Sequence, residues 1–133
     1  MSQGNVHAVR AVYEEWGKGD FSEAGVDLFD PHILFIPRRD YAETGRYLGA
    51  ESIAEFMRFW LASWTDISVV AENLIEAGDS VVVAVHHRAV GRESGIPTEM
   101  RYFDVWSFRG PTVIRLELFR DRAEALAAVG LSE

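Results

Sequence analysis

The sequence predicts an α+β domain, with N-terminal helices packed on a strongly curved, mostly antiparallel sheet that forms a cone around an internal cavity. Three observations predict it. Apolar residues recur at helical spacing up to Trp64. Beyond Ile67 the period changes to alternation. Glycine-bearing turns then cut this second half into four strands, the pattern of helices followed by a β-meander. The 133 residues contain no repeat, low-complexity stretch or linker, so residues 1–133 read as a single domain, large enough to bury a core.

Val6, Val9, Val12, Tyr13 and Trp16 form one apolar stripe of a first helix, stopped by Gly17 and Gly19. Asp20, with Glu23 in capping-box spacing, predicts a short second helix whose apolar face is Phe21, Ala24, Leu28 and Phe29, ended by Asp30-Pro31. Ile33 to Pro37 reads as a short strand, and Arg38 to Gly49 as a long polar loop. The clearest helix runs from Glu51 to Trp64, with Ile53, Phe56, Met57, Trp60, Leu61 and Trp64 on its apolar face. The four strands are Ile67–Ala77, Ser80–Val90, Thr98–Arg109 and Thr112–Arg120, with turns at Gly78-Asp79, Glu93-Ser94-Gly95 and Gly110-Pro111. Asp121 and Glu124 cap a last helix that Gly130 ends.

Composition narrows the function. The formal charge is −8 and the basic residues are scattered, so neither nucleic acid nor an anionic membrane is an expected partner. The longest aliphatic run, Val81 to Val85, is too short to span a bilayer. No secretory pattern opens the chain, so the cytoplasm is the expected location. There is no cysteine, which excludes disulfides and thiolate metal sites. His7, His32, His86 and His87 lack metal-ligand spacing, and no phosphate loop or nucleophile elbow occurs, so no metal and no cofactor is expected. The expected partners are a small apolar molecule and a second copy of the chain.

Asp104 is the residue that most needs explaining. Alternation places it on one strand face with Tyr102, Trp106 and Phe108, a carboxylate among three aromatics. Burial there raises its pKa, and a neutral acid in an apolar pocket donates a hydrogen bond. A turn centred on Gly95-Ile96 sets His87 opposite or diagonal to Asp104, with the same inward parity as Val83, Val85 and Ala89. That geometry is either an acid/base pair or a buried hydrogen bond that pins the hairpin. Tyr13, on the helix that covers the cavity, is a second candidate donor, although a core role is the simpler reading. Trp16, Phe56, Met57, Trp60, Val85, Tyr102, Trp106, Leu116 and Leu118 are expected around the ligand. Arg38 and Arg39 open the long loop, which could act as a lid. Two arginines could clamp a carboxylate, but solvated loop charge is the simpler reading. Phe103, Val105 and Phe119 have outward parity and need covering, as a homodimer through the outer sheet face would provide.

The pattern resembles the SnoaL-like and ketosteroid-isomerase-like branch of the nuclear-transport-factor-like cone fold over nearly the whole chain. The residues that carry the resemblance are Tyr13-Glu14-Glu15-Trp16 with Gly19-Asp20-Phe21, Leu28-Phe29-Asp30-Pro31, Asp104-Val105-Trp106-Ser107-Phe108, and Asp121-Arg122-Ala123-Glu124-Ala125-Leu126. In ketosteroid isomerases the motif matched by Asp104 carries the protonated Asp of an oxyanion hole, and Tyr13 is the nearest match to its tyrosine. The isomerase's general base precedes a proline on the first strand, where this chain has Ile36-Pro37. The resemblance therefore implies cofactor-free acid/base chemistry of cyclase, isomerase or lyase type on an enolisable, polyketide-like substrate, without true steroid isomerase activity. It also implies that Ile36 lies at the ligand, and that His87 with Asp104 serves as the base. A non-catalytic carrier or sensor, or a dimeric interaction module of the same fold, is the alternative.

Overall fold

The computed structural model describes residues 2–21, 26–38 and 47–131. Helix α1 (Ser2–Gly17) is followed by a single 3₁₀ turn (Val26–Leu28), strand β1 (Phe29–Ile36), the two-residue strand β2 (Tyr47–Leu48) and helix α2 (Ala50–Ala62). Strands β3 (Trp64–Ala77), β4 (Ser80–Gly91), β5 (Pro97–Arg109) and β6 (Thr112–Phe119) then form the meander, and α3 (Arg122–Ala128) closes the chain. The sheet order is β2-β1-β6-β5-β4-β3, with β1 parallel to β6 and the other neighbours antiparallel. The predicted α+β class stands.

Helix α1 ends where its glycines require. Gly19 adopts φ +85°, and its N–H and that of Asp20 turn back to the carbonyls of Trp16 and Glu15. The Ser68 hydroxyl on β3 caps the Gly17 carbonyl at 2.8 Å. Val9, Val12 and Tyr13 are buried against the sheet. With Ile53 and Phe56 of α2 and the inward residues of β4 to β6, they form the main core.

Three boundaries differ from expectation. Phe29 belongs to β1 rather than to a helix, and Pro31, which has no N–H to give a ladder, sits inside that strand where its register with β6 shifts. The expected helix residues Glu23 and Ala24 lie outside the described residues. Tyr47-Leu48 pairs with β1, so the polar segment is not loop throughout. Trp64 starts β3 instead of ending α2. The Arg92 guanidinium bonds the Ala62 and Trp64 carbonyls at 2.9 Å, and the Arg92 N–H bonds that of Ser63, satisfying the end of α2 and fixing the switch to strand. Asp121 is the N-cap of α3, as expected, but makes no side-chain cap hydrogen bond.

The outer sheet face carries a second, smaller core. Ala125 of α3 packs with Val82 and Val105, and Phe103 and Phe119 are partly buried beside them. Helix α3 thus supplies part of the covering that the outward parity of these residues demanded. No helix among the described residues is long and apolar enough to cross a membrane.

Candidate functional site

The inward faces of β4 and β5 place Tyr102, Asp104, Trp106 and Phe108 in the core, all buried, as alternation predicted. Asp104 is only 4% exposed. Its neighbour on β4 is Val83 and its neighbour on β6 is Leu118. The Tyr13 hydroxyl of α1 donates to Asp104 Oδ2, and Trp106 Nε1–H donates to the Tyr13 oxygen at 2.9 Å. Asp104 Oδ1 is buried and has no hydrogen-bond partner among the described residues. Tyr13 thus anchors one carboxylate oxygen and leaves the other without a described partner.

Burial pushes the Asp104 pKa up to about 7, against the opposing effects of the Tyr13 hydrogen bond and the charge of Arg38. Burial, together with the Asp104 charge, raises the Tyr13 phenol well above its ordinary range, so it stays a donor. The pair is a proton-bearing group poised at neutrality beside a fixed donor, a suitable arrangement for general acid/base work.

His87 is not part of that pair. It lies opposite Met100, and Asp104 is four residues further along β5, about 13 Å at strand rise. The expected turn centre was wrong. The Gly91 N–H bonds the Ile96 carbonyl, so the turn spans residues 92–95 and Gly95 is its last residue. Inward parity survives the shift because the error is an even number of residues. His87 is 0% exposed, with Nδ1 3.5 Å from the Tyr102 hydroxyl and its ring edge-on to Trp60 and Trp64. Burial first, then the charges of Arg38 and His86, push its pKa down to about 4, which leaves it neutral near pH 7.

A cleft of about 960 Å³ opens between the end of α1, α2 and the start of β3, with Trp16, Phe21, Phe35, Met57 and Leu116 among its walls. These five also bound a narrow inner pocket of about 50 Å³. Phe56, Trp60, Val69, Tyr102, Leu118 and Asp104 complete the inner pocket, and Asp104 is the one carboxylate among the described residues lining it. Trp16, Phe56, Met57, Trp60, Tyr102, Leu116 and Leu118, expected around a ligand, all line this inner pocket. Val85 and Trp106 are buried in the core behind this wall. Tyr13 reaches the pocket only through Asp104.

Ile36 is a correction. It pairs with Glu117 and faces a separate groove with Phe119, Arg120 and Glu124, while Phe35, one residue earlier, faces the ligand pocket. Side chains alternate across a strand, so both cannot face inward. Arg38 is the second correction. It is not solvated loop charge: it is 6% exposed, its guanidinium lies 4.8 Å over the Tyr102 ring, and Nη2 approaches Met100 Sδ at 3.7 Å. Nothing in the local sequence marked it, because its burial depends on β5, a strand five elements further along the chain. Arg39, Tyr41 and Arg46 lie outside the described residues.

Helices α1 and α2 on one face of a curved, mixed sheet, with Asp104 the one carboxylate among the described residues lining the inner pocket, define a cone-fold pocket protein. The chain belongs to the SnoaL-like domain family, whose model matches residues 9–116. No curated protein matches it by sequence. Among solved structures it is similar to a Jannaschia protein provisionally called a SnoaL-like polyketide cyclase (18% identity, TM-score 0.78, covering 99% of this chain and 95% of that one). It is also similar to TerC co-crystallised with polyporic acid (22%, TM-score 0.76, 95% and 97% covered). A third is a Catenulispora acidiphila protein with a ketosteroid-isomerase-like fold, in complex with trimethylamine (18%, TM-score 0.68, 96% and 92% covered). At these identities the likeness shows the fold.

Proposed function

We propose that this protein is a cofactor-free acid/base enzyme that moves a proton on a small, flat molecule carrying an enolisable carbonyl or phenol-like oxygen. The observation that carries the reading is the division of labour on Asp104. Tyr13 holds Oδ2, while Oδ1 is buried without a hydrogen-bond partner among the described residues, and Asp104 lines an inner pocket that shares five wall residues with the cleft. Asp104 as carboxylate takes a proton from the carbon next to the carbonyl through Oδ1. As acid it returns that proton to carbon or oxygen, so the net reaction is a tautomerisation or a ring closure that proceeds through an enol. The aromatic walls exclude water and orient a flat body. Ile36 faces elsewhere and Phe35 lines the pocket, so no β1 carboxylate serves as a separate base.

The test is exchange of α-hydrogen for deuterium in enolisable aryl ketones in D₂O, followed by NMR. Wild type should catalyse exchange and Asp104→Asn should not. Retained 2-naphthol binding by both proteins, with no exchange by either, would favour the alternative of a ligand carrier with the same pocket.

A further inference from the structure

We propose that the cleft takes a substrate with a carboxylate at the end remote from its enolisable oxygen, and that Arg58 and Arg92 hold that carboxylate; this rests on the reading that Asp104 works at the other end. The two cavities differ greatly in size. The inner pocket, about 50 Å³, admits only an edge of a molecule, whereas the cleft that shares five of its walls measures about 960 Å³. A molecule placed against Asp104 therefore extends along the cleft. Arg58 and Arg92 line the cleft and not the inner pocket, so they meet that extension and not the reacting end.

Ile53, Ala54, Met57 and Leu61 give α2 an apolar face on the cleft, and Arg58 stands at its edge. It makes no ion pair among the described residues, not even with Glu55 one turn before it on the same helix. Arg58 lies one turn before Ala62, whose carbonyl accepts from Arg92 Nε at 2.9 Å, so both cations belong to the last turn of α2. The carbonyls that fix Arg92, those of Ala62 and Trp64, are neutral and leave its charge uncompensated. The other charged side chains on the cleft, among the described residues, are Lys18, Asp20 and Asp66. Lys18 pairs with Glu15 at 3.7 Å. A Cβ on Gly19 would come within 3.1 Å of the Ile67 carbonyl, so Asp20 and Asp66 gather where the end of α1 meets β3, while Arg58 belongs to α2. Cations outnumber acids on this cleft by three to two, in a chain whose formal charge is −8. A guanidinium matches a carboxylate through two parallel N–H donors. Arg92, already held by the backbone, loses little freedom when it binds one.

The test compares 6-hydroxy-2-naphthoate with its neutral carboxamide, which has the same shape without the charge. Each is titrated calorimetrically into folded wild type, Arg58→Lys, Arg58→Gln and Arg58→Glu at neutral pH and low salt. We expect wild type and Arg58→Lys to bind the carboxylate about tenfold more tightly than the carboxamide. The preference should largely vanish in Arg58→Gln and invert in Arg58→Glu. The Lys variant keeps the charge and so separates its loss from any change in the helix. Equal binding of the two ligands by wild type, a preference undiminished in Arg58→Glu, or no binding of either ligand overturns the inference. Deuterium exchange in aryl ketones separates this outcome from the fate of Asp104. Exchange by a wild type that shows no carboxylate preference leaves the role of Asp104 standing and defeats the anion site. A carboxylate preference without exchange defeats the role of Asp104 and keeps the anion site.

Discussion

Tyr13 and Asp104 stand 91 residues apart in sequence and meet in the core through one hydrogen bond, helix hydroxyl to strand carboxylate. That bond joins α1 to the sheet at the only point where the inner pocket is acidic among the described residues. It also fixes which Asp104 oxygen is free. Trp106 supports it from the other side by donating to the same phenol oxygen. The packing of α1 and the chemistry of the pocket therefore depend on the same contact.

Replacing Tyr13 with Phe should cost about 1–3 kcal/mol of stability, because Asp104 Oδ2 and the Trp106 indole N–H each lose their partner in a buried place. It should also raise the Asp104 pKa above its value of about 7, since the lost hydrogen bond favours the ionised form. Urea denaturation and the pH midpoint of α-hydrogen exchange read the two effects separately. An unchanged midpoint would mean that Tyr13 is packing alone.

Asp104 and His87 should pull stability in opposite directions across the same pH range. The Asp104 carboxyl is near 7 in the fold and near 3.8 when unfolded, so the native state holds the extra proton. Stability from this group is lost as pH rises from about 4 to 7, to roughly 4 kcal/mol. His87 is near 4 in the fold against 6.5 unfolded, so the unfolded state holds the extra proton. Its contribution is lost as pH falls from about 6.5 to 4, to roughly 3 kcal/mol. In wild type the two slopes nearly cancel. Asp104→Asn should become more stable as pH rises through this window, and His87→Asn less stable. Denaturant titrations at half-unit pH steps would show parallel slopes if either buried group titrates normally.

The sequence made the inward faces legible and left the register obscure. Alternation identified Tyr102, Asp104, Trp106 and Phe108 correctly, because a period of two follows from the strand itself. The Asp104–His87 pairing needed the turn centre, and Gly95 was misjudged as central. With φ +69° it is the left-handed residue that closes the turn on its descending side. Trp64 was assigned to the helix by spacing, although its fate was set by Arg92, a residue from the far end of β4's hairpin. Phe35 became visible only when β1 was laid beside β6, since which of two alternate residues faces inward is decided by tertiary contact, and Arg38 only when the chain beyond β1 met Tyr102 and Met100 of β5.

The size of the inner pocket sets a further expectation. About 50 Å³ holds little more than one or two water molecules at roughly 30 Å³ each, so a ligand can present only an edge to Asp104. Trp60 is one of its walls and touches His87 edge-on at 5.3 Å. Trp60→Ala should cost about 3 kcal/mol of stability or somewhat less, because the indole is only partly buried. It should shift preference from single-ring phenols to 2-naphthol by about tenfold. It should also bring the His87 pKa back toward 6.5 as desolvation weakens. Competition binding between phenol and 2-naphthol tests the first effect, and histidine NMR titration the second.

Gly95 offers a test of whether the hairpin turn or the strand faces hold Asp104 in place. A Cβ at Gly95 would meet nothing within 4 Å, so substitution is opposed only by the positive φ of +69°. Gly95→Ala should therefore cost about 1 kcal/mol, and Gly95→Asn less, because asparagine tolerates this conformation better. The pairing of β4 with β5 also rests on the buried inward residues Val83, Val85 and His87. A one-residue slip would turn all of them outward, a loss far larger than the strain at the turn. The register should then survive in both variants, with 4-nitrophenol affinity and the Asp104 pH midpoint unchanged while urea midpoints fall. A drop in affinity in step with the loss of stability would instead make the turn, not the buried face, the element that sets Asp104 against Val83.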